Sequence, residues 1–159
     1  MAAPLLYGVM KLENDMSAVI ATTRLTQVVR PGEVRAAWTP AILTTVVDTS
    51  VAVCLWDPQE GVGGITHFTL PEDAKLAIQE LIEAVVRCGG RANALRASVY
   101  GGAVNADAAC PWLGPKSVNA AILFLTKHGI EVAEIDAGGN RSRSLRFYTD
   151  QGTALVAIV

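Results

Sequence analysis

Residues 41–70 read AILTTVVDTSVAVCLWDPQEGVGGITHFTL, and this stretch decides the fold. Ala41 to Trp56 is rich in Val, Ile and Thr, which is strand composition, but the run is too long for one strand. Asp48-Thr49-Ser50 is its natural interruption. Asp57-Pro58-Gln59-Glu60-Gly61 is a turn signal, and Gly63 to Leu70 gives a further strand that Pro71 ends. The pattern predicts a hairpin with Ser50 at a strand bend and His67 near the end of the returning strand. Paired antiparallel strands can bring residues so far apart in sequence into side-chain contact. A hydroxyl beside an imidazole is a minimal nucleophile–base pair.

Working outward, Glu72 to Cys88 has helical spacing, with Leu76, Ile78, Leu81, Ile82, Val85 and Val86 on one broad face. Acids open this helix and Gly89-Gly90 stop it. Ala94 to Tyr100 reads as a strand ending at Gly101-Gly102, followed by a loop from Ala103 to Pro115. A second helix is expected from about Lys116 to His128, with Val118, Ala121, Ile122 and Leu125 inward. Glu131 to Ile135 is a strand and Gly138-Gly139-Asn140 a turn. Arg143 to Tyr148 and Thr153 to Val159 form a terminal hairpin. Upstream, Arg30-Pro31-Gly32-Glu33 is a turn. The expected fold is α/β (α+β): mixed β-sheets in a sandwich-like core flanked by two main helices. Residues 26–159 form one domain in this reading, and residues 1–25 an N-terminal arm or edge segment.

Composition narrows the function. The chain has 159 residues, 51% of them apolar, enough for one sizeable core. Thirteen Lys+Arg against fifteen Asp+Glu give a net charge of -2, unlike the basic stripe of a nucleic-acid binder. No apolar run reaches the ~18 residues of a membrane span. The N-terminus, MAAPLLYGVMKLEND, lacks the basic-then-apolar pattern of a secretory signal. These features lead to the expectation of a cytoplasmic protein. Cys54, Cys88 and Cys110 are too few and too widely spaced for a disulfide framework or a zinc site, so neither metal nor cofactor is expected. Cys54 lies four residues past Ser50, ~13 Å along a strand at ~3.3 Å per residue, and reads as a small buried apolar residue.

The motifs as a series resemble one family. RPGE at 30–33, LTTVVDTSVAVCLWDP at 43–58 and GVGGITHFTLP at 61–71 look like HPGE, LTTVLGSCVAVCLxDP and GIGGMxHxxLP of CheD, the chemoreceptor glutamine deamidases. Tyr100-Gly101-Gly102-Ala103, LGPKSV at 113–118 and DAGGNRSRS at 136–144 resemble further CheD motifs in the same order. The resemblance implies a cysteine that attacks a receptor glutamine carboxamide, a histidine that activates it and a threonine that orients the pair. Carried over by motif, the histidine is His67 and the threonine Thr44. The nucleophile position holds Ser50 instead of cysteine, and the preceding Leu-Gly-Ser has become Val47-Asp48-Thr49. Gly101, Gly102, Asn140 and Arg141 fall near the family's active-site region as candidate substrate-binding residues. Each also has a plain reading as a turn residue.

The serine matters because a cysteine thiol starts near pKa ~8.5 and an imidazolium lowers it further. A hydroxyl gives no comparable anion and needs a placed base, an orienting group and an oxyanion hole. Asp48 is the nearest acid in sequence, with the plain reading of a solvated turn residue. The resemblance implies chemoreceptor cytoplasmic domains as partners, with a CheC-type phosphatase as a second. Three functions compete: an impaired or inactive glutamine deamidase, a non-catalytic binding module, and an unrelated serine hydrolase. The last lacks a Gly-x-Ser-x-Gly motif.

Overall fold

The computed structural model describes residues 24–159. Among them, nine strands form two mixed sheets and two α-helices pack on one of these. The strands are β1 (Leu25–Val28), β2 (Val34–Ala37), β3 (Ala41–Val47), β4 (Val51–Asp57), β5 (Val62–Phe68), β6 (Arg96–Gly101), β7 (Glu131–Ala137), β8 (Arg143–Tyr148) and β9 (Thr153–Ile158). The helices are α1 (Ala74–Arg87) and α2 (Leu113–Lys127). One sheet has the order β1-β3-β8-β9 and the other β2-β5-β4-β6-β7. Each contains one parallel pair, β1–β3 and β6–β7. No helix of the described residues is long and apolar enough to cross a membrane.

Two apolar layers hold the assembly together. Val51, Val53 and Leu55 of β4 face the helices, where they meet Ile78, Leu81 and Val85 of α1 and Val118, Ala121 and Leu125 of α2. Ala52, Cys54 and Trp56 point the other way and meet Leu43, Val47, Leu145 and Phe147 of the opposite sheet. β4 is buried along its whole length because both its faces are covered. Each fully buried Leu, Ile or Val stabilises by about 1.5–3 kcal/mol relative to exposure.

The expected hairpin exists, but only between β4 and β5, with Ala52 opposite His67 and Val51 opposite Phe68. β3 does not continue it. At Asp48-Thr49-Ser50 the chain leaves one sheet and enters the other. The interruption in the Val/Ile/Thr run is therefore a crossing between layers.

Other boundaries differ for simple reasons. α2 begins at Leu113, three residues before the expected Lys116. Pro115 then lies in its first turn, where a missing N–H costs no helical bond. Pro71–Asp73 is a 3₁₀ turn leading into α1. β1 and β2, of four residues each, carry too few residues for a periodic signal. Of the expected N-terminal arm, residues 1–23 lie outside the described residues. Arg24 pairs with Asp150 at 2.9 Å, and Leu25 opens β1.

Candidate active site

Alternation along β3 sends Leu43, Thr45 and Val47 toward the other sheet, while Thr44 and Val46 face outward. β5 sends Ile65 and His67 back into the same space. Thr45 and His67 thus meet from opposite sheets, and Ser50 hangs beside them from the crossing between β3 and β4. His67 Nε2 lies 2.8 Å from Ser50 Oγ, and His67 Nδ1 lies 2.9 Å from Thr45 Oγ1.

The proton positions follow from counting donors. The single Thr45 hydroxyl proton goes to Val29 O, at 2.7 Å, because a carbonyl can only accept. Thr45 Oγ1 therefore accepts from His67 Nδ1–H. Nε2 is then unprotonated, and the Ser50 hydroxyl donates to it. Burial pushes the His67 pKa below the usual 6.5, which favours this neutral form. The imidazole is fixed in the tautomer that a general base toward Ser50 requires.

The backbone around the pair is pinned as well. Gly32 N–H donates to His67 O at 2.7 Å, and His67 N–H donates to Glu33 O at 3.3 Å. The turn at 30–33 thus straddles the histidine peptide. Gly102 N–H donates to Ser50 O at 2.9 Å, and Ala103 N–H donates to Asp48 O at 2.8 Å. Ser50 N–H donates to no acceptor among the described residues. A cleft of about 500 Å³ opens beside His67, lined by Gly32, Thr69, Leu70, Leu76 and Ala77 among others.

Ser50 and His67 are brought together, whereas Thr44 is not part of the cluster. Its hydroxyl lies 3.4 Å from Gln27 O on the outer side of β3, and the residue that meets His67 is its neighbour Thr45. One residue of register exchanges the faces of a strand. Alternation with Leu43 and Val47 is the sequence signal that marks Thr45 as inward. Gly101 and Gly102 are both buried, with positive φ of 104° and 65°. A side chain at 101 would collide with Ser50 O, and one at 102 with Val118. These glycines hold the Ser50 bend. Asn140 and Arg141 are exposed in the β7–β8 turn. Asp48 is exposed and contributes its carbonyl, not its carboxylate, to the bend. Cys54 is fully buried between the sheets, where burial first and the Glu134 charge second push its thiol pKa well up. No cluster of three or more metal-ligating His, Cys, Asp or Glu residues occurs among the described residues.

Fold and site together define an α+β protein with a hydroxyl–imidazole–hydroxyl chain at the seam of two mixed sheets, an arrangement suited to acyl transfer. Comparison with known proteins agrees with this class. Residues 72–158 match the family described as "CheD chemotactic sensory transduction". A probable chemoreceptor glutamine deamidase CheD 1 of Anaeromyxobacter dehalogenans is 40% identical over 79% of this chain and 80% of its own. A probable chemoreceptor glutamine deamidase CheD of Trichlorobacter lovleyi is 35% identical, over 72% and 78%. The chemoreceptor glutamine deamidase CheD of Thermotoga maritima is 30% identical, over 82% and 90%. The chain belongs to the CheD family. Among solved structures, a hypothetical protein YfiH of Bacillus licheniformis is similar at a TM-score of 0.49 and 14% identity, covering 66% of this chain and 49% of that one.

Proposed function

We propose that this protein is a chemoreceptor glutamine deamidase in which Ser50 takes the nucleophile's place and makes turnover slow. The observation that carries the reading is the 2.8 Å contact of Ser50 Oγ with an imidazole whose other nitrogen is held by Thr45. In the reaction, Ser50 Oγ attacks the glutamine carboxamide carbon as its proton passes to His67 Nε2. The Ser50 N–H, without an acceptor among the described residues, is the candidate donor to the oxyanion. His67 returns the proton to the departing nitrogen, and ammonia leaves a glutamyl ester on Ser50. His67 then takes a proton from water, whose oxygen attacks the ester. Glutamate forms and the Ser50 hydroxyl is restored.

The weakness of this site is equally chemical. Thr45 fixes the tautomer but carries no charge to stabilise the imidazolium that forms. That deficit favours a second reading, in which the chain binds chemoreceptor cytoplasmic domains or a CheC-type phosphatase without turnover. The test is incubation with receptor cytoplasmic domains, read as Gln→Glu mass change and released ammonia. Slow turnover that Ser50→Ala abolishes supports the deamidase. Ser50→Cys is expected to raise the rate by about 10²-fold or more, because a thiolate paired with His67 is the stronger nucleophile. Inactivity of both the native chain and a folded Ser50→Cys variant, with receptor still bound, establishes the binding module.

A further inference from the structure

The DAGGNRSRS motif at 136–144 has its exposed residues, Gly139, Asn140 and Arg141, in a turn, and its one buried cation is Arg143. Arg143 is only 6% exposed. It stands on β8, opposite Val47 at the end of β3, directly before the crossing that carries Ser50. Its guanidinium reaches out of its own sheet. Nε donates to Asp136 Oδ1 on β7 at 3.1 Å, Nη2 to Gly138 O at 3.0 Å and Nη1 to Arg141 O at 3.4 Å. Asp136 belongs to the five-stranded sheet and Arg143 to the four-stranded one, so the pair joins the two layers.

The turn that Arg143 holds is itself bonded onward. Gly138 N–H donates to Gly101 O at 2.9 Å, and Gly139 O accepts from Val104 N–H at 2.7 Å. The segment so gripped, 101–104, contains the two amides that hold the nucleophile bend, Gly102 on Ser50 O and Ala103 on Asp48 O. Val47 packs close to Gly101 from the other side. Hydrogen bonds joined through the intervening backbone therefore link Arg143 through 138–139 and 101–104 to Ser50.

We propose that Arg143 is a positioning residue for the nucleophile: through the Gly138-Gly139 turn it fixes Gly101–Val104, and through them the Ser50 bend facing His67. It touches no reacting atom. The role requires a fork, because three acceptors in different directions are served at once. A lysine keeps the charge but offers a point donor. This inference deepens the reading of Ser50 as nucleophile, and its test needs no turnover.

The test is amide hydrogen exchange and histidine-ring ¹⁵N spectroscopy on the native chain, Arg143→Lys and Arg143→Ala. In Arg143→Lys the Gly102, Ala103 and Gly138 amides are expected to exchange about tenfold faster or more, while Val53 and Val85 change little, since local opening is separable from global unfolding. The His67 Nε2 resonance moves toward that of an imidazole without the Ser50 hydrogen bond. Arg143→Ala shows the same pattern more strongly where it folds; where it does not, the lysine variant decides. The proposal is overturned if Gly102 and Ala103 accelerate no more than Val53, or if the His67 resonance is unmoved in the folded lysine variant. An absence of deamidase activity, even in Ser50→Cys, alters neither readout, so the two readings fail separately.

Discussion

The two ends of the β4–β5 hairpin both bury a titratable group, and they treat it in opposite ways. At the turn end, Asp57 is fully buried and ionised. Arg91 meets it with Nε at 2.9 Å and Nη2 at 3.0 Å, and the amides of Gln59, Glu60 and Arg91 add three more donors. The Arg91 side-chain hydrogen bonds hold the Asp57 carboxyl well below the usual carboxylate range. At the bend end, His67 is as deeply buried but its ring meets two hydroxyls and, more weakly, the Val29 carbonyl. With no carboxylate beside it, burial wins and the ring stays neutral. A buried charge with every lone pair satisfied closes a turn. A buried neutral base facing a hydroxyl remains available to take a proton.

The largest effect expected is at the turn end. Asp57→Ala leaves Arg91 and three amides without their acceptor and should cost about 3 kcal/mol in urea unfolding. The His67–Ser50 contact should survive in the folded fraction, read by the ¹⁵N resonances of the ring. If that contact is lost as well, the two ends are not independent and the contrast breaks.

Next comes Gly101→Ala. A methyl group at a φ of 104° would run into Ser50 O, and the predicted loss is about 2 kcal/mol with the Ser50 bend displaced. Activity should fall further than stability, which a comparison of turnover with thermal midpoint would reveal.

A smaller effect separates two adjacent threonines. Thr45→Val removes the acceptor of His67 Nδ1–H and the donor to Val29 O, for about 1–2 kcal/mol and loss of the tautomer preference. Thr44→Val should change stability by less than about 0.5 kcal/mol. Equal effects would undo the assignment of Thr45.

The smallest effect is a slope with pH. The His67 pKa is lower in the folded chain than its ordinary 6.5, so the unfolded chain binds more protons between the two values. The contribution is complete above about pH 6.5. It is lost as pH falls through the folded value, and His67→Gln should flatten that slope. Asp57, also depressed, acts in the same direction but only below the ordinary carboxylate range, near pH 4. Denaturation midpoints from pH 7.5 to 3 would resolve the two stages.

Much of this was legible in the residues. The β4–β5 hairpin, α1 and the β8–β9 hairpin announce themselves by composition, helical period and turn residues. Ser50 and His67 were legible for the same reason, since pairing of the strands places them together. The division into two sheets was not. Asp48-Thr49-Ser50 reads as an interruption whether the chain bends within one sheet or passes to another, and only long-range pairing of β3 with β8 decides. Thr45 was hidden by motif carry-over, which aligns positions but does not weigh strand faces. Arg143 was hidden because a buried arginine looks, in sequence, like any solvated one.

The crossing at Ser50 has a mechanical consequence. Thr45 rides on one sheet, His67 on the other, and Ser50 on the only stretch of chain that runs directly between β3 and β4. The three groups therefore act as a gauge of how the layers are aligned. Sliding one sheet by about 2 Å past the other would stretch the 2.9 Å contact that spans them to about 3.5 Å, out of hydrogen-bond range. The alignment of the base is thus set by the packing of the two layers as well as by its own neighbours.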